Sequence, residues 1–268
     1  MEPTSLPQEL WDEIFSYIYD RKDLHSCSLT CQSWCATAKP QLHYNLRISA
    51  YSDKKYSNKK YSNKKYSNKK YSNKSKEFQE AYKLDLLPFV KRLNILSDNF
   101  TPEGFGVTNF SYFSAFKNLR ELGIVGLKVS SFIPDIHRYF GPFAGALQSL
   151  ALEIPEGSCR QLLYFIGHFK NLQDLRLSEF CPTKDDETTA NLNPPYKPPL
   201  RGRLSLYKLS GDELVEEMIG LYKKLYFRCV DLFWVQSAAQ ILDACAETLE
   251  ILQLSEEVLC QDSERSFG

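Results

Sequence analysis

No stretch of this 268-residue chain approaches the 18 or more apolar residues that a membrane-spanning helix requires. The acidic N-terminus lacks a basic-then-apolar leader, so a cytoplasmic or nuclear protein is expected. Histidine is scarce. His25, His43, His137 and His168 stand in no Gly-x-Ser-x-Gly elbow, His-Glu-x-x-His helix or recognised Cys–His spacing. Gly104-Phe-Gly106 has no downstream glycine and lysine, which removes a phosphate-cradling loop. Asp185/Asp186 and Glu256/Glu257 read as solvated charge rather than acid–base pairs. These absences argue against an enzyme and against any bound cofactor.

The eight cysteines show no paired spacing of a disulfide framework, and free thiols are expected. Cys27, Cys31 and Cys35 recur every four residues beside His25 and His43. A structural zinc site draws its ligands from two separate close pairs, whereas these sulfurs follow helices whose apolar sides need packing. No metal is expected there. The triplets at Asn73, Asn99 and Asn109 are then chance glycosylation matches.

Zero net charge conceals a division. Residues 51–76 hold ten lysines and one aspartate; the rest carries 23 basic and 32 acidic residues, a balance of about −9. That balance disfavours a general nucleic-acid-binding surface. Within the basic tract YSDKK is followed by three copies of YSNKK and then YSNK. A period of five fits neither a helix nor a strand, so no face becomes apolar and a disordered linker is expected. Import or single-strand contact are the functional alternatives for its lysines.

The first 48 residues read as a helical hook. Leu6-Pro7 opens a helix, and Gln8, Glu9, Asp12 and Glu13 place acid near its positive end. Leu10, Ile14 and Ile18, widened by Trp11 and Phe15, give it an apolar stripe. Asp23 is expected to cap a helix over residues 24–29, and the chain restarts at Thr30 or Cys31 until Pro40 ends it. Forty residues seldom support their own core, so this segment needs an outside surface.

In type and spacing the string LPQELWDEIFSYIYDRKDLHSCSLTCQSWCATAKPQLHYNLRI resembles an F-box, in a flavour similar to fungal F-box substrate receptors. The resemblance implies three helices that bind a Skp-family adaptor and, through it, the cullin of a ubiquitin ligase. It also implies adaptor-binding roles for Leu6, Pro7, Glu9, Leu10, Ile14, Phe15, Ile18, Leu24, Leu29 and Trp34.

Beyond residue 85 the phrase apolar-x-x-Leu-x-apolar recurs at Val90, Leu119, Leu147, Leu172 and Leu249, with degenerate copies at Leu204-x-Leu206 and Leu225-x-Phe227. Central positions lie 21 to 29 residues apart, the period of leucine-rich repeats, with helix-like stretches at 135–140, 159–169, 212–224 and 235–247. Each unit needs its neighbours to bury its strand face, which predicts a stacked solenoid; the alternative is an irregular α/β domain. Residues 181–200, with Pro194-Pro-Tyr-Lys-Pro-Pro199, are expected to leave the array as a stiff loop, and Pro195-x-x-Pro198 offers a polyproline motif.

The expected architecture is therefore an F-box (1–48), a YSNKK linker (49–80) and a leucine-rich-repeat-like α/β solenoid (81–268). The expected function is substrate recognition in a Skp–cullin–F-box ligase, with an unidentified protein target. The alternative is a non-ligase scaffold or nuclear factor using its basic tract, and an array that stops soon after Leu254 suggests a shortened gene model.

Overall fold

A computed structural model describes residues 6–18, 20–49, 87–102, 111–154, 156–184, 192–233, 235 and 237–254. The YSNKK tract lies outside them. Three helices come first: α1 (Gln8–Ser16), α2 (Arg21–Ser28) and α3 (Gln32–Leu42). Asp20, not Asp23, caps α2, its carboxylate accepting from the Lys22 N–H at 2.6 Å. Pro40 does not end α3; it sits inside the last turn. There it removes one backbone donor, while the chain still closes through the His43 N–H on the Lys39 carbonyl at 3.1 Å.

Next come the strands β1 (Asn45–Ser49), β2 (Arg92–Phe100), β3 (Glu121–Leu127), β4 (Ser149–Glu153), β6 (Asp174–Ser178), β8 (Arg203–Tyr207), β9 (Cys229–Phe233) and β10 (Ile251–Leu254). They form one parallel sheet in sequential order, while β5 (Gly157–Ser158) and β7 (Pro182–Thr183) pair separately. Helices α4 (Ile136–Ala144), α5 (Cys159–Ile166), α6 (Glu213–Tyr222) and α7 (Ala238–Cys245) fall in the crossovers.

Two apolar ladders explain why the strands stack in this register. Leu46, Leu93, Leu122, Leu150, Leu175, Leu204, Val230 and Leu252 stand side by side, as do Ile48, Ile95, Ile124, Leu152, Leu177, Leu206, Leu232 and Leu254. Period-2 alternation sends both rows to one face. There all of them except Leu252 and Leu254, which are exposed on the edge strand β10, join the helices in a single core that includes Phe113, Phe140, Phe143, Phe165 and Phe169. Phe140 meets Phe165 edge to face at 5.1 Å and Phe113 at 6.3 Å, an aromatic seam across successive crossovers. Strand starts repeat a backbone device too: the Glu121 N–H bonds to the Lys91 carbonyl, Ser149 to Arg120, Asp174 to Gln148 and Ile251 to Arg228.

Three further expectations change. β1, placed with the N-terminal hook by sequence, is a strand of the sheet, paired in register with β2. The degenerate copy at Leu225-x-Phe227 is not a strand: β9 begins at Cys229, and Val230 and Leu232 take the ladder positions. The Leu225 N–H is committed to the Ala244 carbonyl at 3.1 Å, which ties that segment to the end of α7. Finally, residues 192–200 do not leave the array. The Tyr196 N–H bonds to the Gly167 carbonyl, Lys197 Nζ to the Leu221 carbonyl and the Leu200 N–H to the Leu172 carbonyl. Pro198 is buried, so the Pro-x-x-Pro pair is not presented to a reader domain.

Candidate functional site

Two adjacent lines of side chains run along α1, and the structure assigns them opposite duties. Trp11, Phe15 and Ile18 form one line at i, i+4 and i+7; Leu10, Ile14 and Tyr17 form the other. The first line faces α2 and α3. Phe15 is 1% exposed and Leu24 6%, and with Ala38 they make a small core rimmed by Trp11, Ile18, Cys27, Trp34 and Leu42. Its heart is aromatic: Trp11 and Trp34 are 5.2 Å apart, and Phe15 meets Trp34 at 5.6 Å, nearly perpendicular. Such pairs contribute about 0.5–1.5 kcal/mol beyond their area.

The second line faces water. Leu10 and Ile14 are each 44% exposed, Tyr17 66%, and Leu29 at the end of α2 is 74% exposed; Leu6 joins them ahead of α1. Pro7 and Glu9 are also exposed, with Asp12 and Glu13 beside them. Scattered exposed leucines need no explanation, but Leu10, Ile14 and Tyr17 follow one another along one side of a helical unit that has its own core, which makes that side a candidate interaction surface.

The ten residues singled out by sequence therefore divide. Leu6, Pro7, Glu9, Leu10, Ile14 and Leu29 are on the surface, and Ile18 and Trp34 are half-buried at the rim of the small core. Phe15 and Leu24 are interior, in the small core beneath that surface. Sequence reasoning left Tyr17 out of the set; its position seven residues after Leu10 was the available signal.

Cys27, Cys31 and Cys35 are free thiols, and among the described residues no three His, Cys, Asp or Glu side chains cluster as metal ligands.

A second surface lies on the sheet face opposite the ladders, where Arg47, Asn94, Gly123, Ala151, Arg176, Ser205, Asp231 and Gln253 stand in register. Small residues open a shallow depression of about 190 Å³ over β3 and β4, bordered by Asn94, Glu153, Arg176 and Ser178. Gly123 suits the place, because a Cβ there would lie 2.5 Å from Asn94 Oδ1. The Arg176 guanidinium sits 4.8 Å over the Tyr207 ring, a cation–π contact. Burial, and then the neighbouring Glu179, pushes the Glu153 carboxyl above its ordinary pKa.

Over β8 and β9 the same face becomes a buried polar cluster. Ser205 Oγ donates to Asp231 Oδ2 at 2.8 Å, Arg203 Nε lies 3.6 Å from the same oxygen, and both Ser205 and Asp231 are buried. Replacing Asp231 with alanine strips a buried hydroxyl of its acceptor, and a loss of about 1–3 kcal/mol is expected in urea unfolding. D231N keeps an acceptor and should lose less; equal stability of D231A and the parent chain would contradict this account.

No curated protein matches the chain. Residues 4–49 match the F-box-like family, so an F-box-like domain occupies the segment that builds the exposed apolar line and the small aromatic core beneath it.

Proposed function

We propose that this chain is the non-catalytic substrate-recognition subunit of a Skp–cullin–F-box ubiquitin ligase. An F-box-like domain implies binding of a Skp-type adaptor. The observation that carries the reading is the line Leu10, Ile14 and Tyr17, with Leu6 and Leu29 also exposed, although the unit possesses its own core. Through that adaptor the chain would be linked to a cullin.

The sheet would then receive the target. Eight parallel strands in sequential order, joined by helical crossovers, fit a leucine-rich-repeat-like solenoid. In this reading the face carrying Asn94, Gly123, Ala151 and Arg176 holds the substrate, and catalysis is by proximity: the target's lysines are held near a ubiquitin-charged enzyme. Among the described residues no helix is long and apolar enough to cross a membrane.

Affinity purification of the full chain followed by mass spectrometry tests the assignment. Recovery of a Skp-family adaptor together with a cullin is expected. Recovery of neither, from cells in which other F-box subunits yield both, would overturn it.

A further inference from the structure

At the end of the sheet where the strands begin, the turns ahead of β3, β4 and β6 enclose a recess of about 320 Å³. It stands apart from the apolar line on α1 and from the outer sheet face. The recess follows from how the units repeat. One residue ahead of each strand the backbones bond in series: the Arg120 N–H to the Lys91 carbonyl, Gln148 to Arg120 and Gln173 to Gln148. Arg120, Gln148 and Gln173 thus stand side by side, and all three are exposed. Two residues further back, Asn118 Nδ2 donates to the Pro88 carbonyl at 2.8 Å and Asn171 Nδ2 to the Gly145 carbonyl at 2.6 Å. Each asparagine gives its amide N–H to the preceding unit and keeps Oδ1 as an acceptor. Pro199 closes the far side, held there because the Leu200 N–H bonds to the Leu172 carbonyl at 3.1 Å.

The lining holds one guanidinium, four side-chain amides and no carboxylate. Acids at the strand starts are engaged already: Glu121 pairs with Arg92, and Asp174 Oδ1 accepts from the Arg203 N–H at 2.7 Å. A second cation stands at the rim. The Lys170 ammonium lies 3.8 Å from where a Cβ would sit on Gly145, itself a lining residue. Among the described residues neither Arg120 nor Lys170 forms an ion pair. Two cations without a counter-charge, beside an uncharged polar lining, favour an anion.

We propose that this recess binds an acidic side chain of a polypeptide. Arg120 takes the carboxylate through its planar fork, with Lys170 as the second cation. The amides of Gln148 and Gln173 and the Oδ1 atoms of Asn118 and Asn171 match a peptide backbone, which offers one donor and one acceptor per residue. Its volume, at the low end for ligand clefts, admits a short stretch of chain rather than a folded surface. Nucleic acid fits less well, since no aromatic ring lines the recess for a base to stack on.

The test uses the full chain and an acetylated, amidated tripeptide of glutamate, with the glutamine tripeptide as its control. The lysines of residues 51–76 attract any acid, so binding is read at the recess itself, from the side-chain amide resonances of Gln148 and Gln173. Both should move with the glutamate peptide and stay still with the glutamine one. R120Q removes an exposed guanidinium and should weaken the affinity so measured by roughly tenfold or more. K208Q, which takes a cation from the opposite end of the strands, should leave it unchanged. Stationary resonances, equal shifts with both peptides, undiminished affinity in R120Q or a matching loss in K208Q would each overturn the proposal.

Discussion

Replacing Leu10 and Ile14 together with serine is expected to weaken adaptor binding roughly 10- to 100-fold while leaving the helices folded. The size follows from exposure. Fully burying such a side chain stabilises by about 1.5–3 kcal/mol, and each of these is 44% exposed before docking. Roughly half of that gain is still available per residue, so the pair contributes about 1.5–3 kcal/mol, and each 1.4 kcal/mol is tenfold in affinity. Titration calorimetry with purified adaptor reads the loss, and an unchanged circular dichroism spectrum verifies the fold. Equal affinity would remove the exposed line from the docking surface.

Truncating Phe15 to alanine should act by a different route. Its ring fills the centre of the small core, in edge-on contact with both Trp11 and Trp34. Phe→Ala changes at such sites cost about 3–5 kcal/mol. A three-helix unit this small has little stability to spare, so F15A should melt α1–α3 and expose them to protease, while the core over β2–β9 persists. Adaptor binding would vanish as a consequence. A fragment pattern identical to that of the parent chain would show that the aromatic cluster is not what holds the unit together. The two variants separate surface from support, a distinction that five neighbouring apolar residues in a sequence do not disclose.

The strands were the most legible part of the fold. At β2, β3, β4, β6 and β10 the phrase apolar-x-x-Leu-x-apolar coincides with a strand, because leucines two apart must share a face and the preceding apolar residue turns into the same core. β9 was misplaced for a physical reason: Leu225 and Phe227 are more apolar than the Cys229–Phe233 segment, whose alternate positions hold a buried cysteine and aspartate. β1 escaped notice since Asn45–Ser49 follows so closely on α3 that it reads as part of the hook.

Legibility of the candidate site was uneven. The stripe on α1 was plain, but periodicity alone cannot say which of two adjacent lines meets the protein's own helices and which meets a partner. Trp34, 23 positions from Trp11, decides it by pulling the Trp11–Phe15–Ile18 line inward. The sequence pointed to Asp23 as the cap of α2, whereas the turn leaving α1 brings Asp20 to the Lys22 N–H. His137 and His168, whose Nε2 atoms lie 3.4 Å apart, could not be joined from sequence, since their meeting depends on how successive crossovers stack.

The central claim concerns where the adaptor touches, and methyl resonances of the labelled full chain report that directly. On saturation with a Skp-type adaptor, the methyl signals of Leu10, Ile14 and Leu29 should move, and those of ladder residues such as Leu150 should not. Ile14 and Leu10 unmoved at saturating adaptor, or shifts confined to the sheet, would contradict the account.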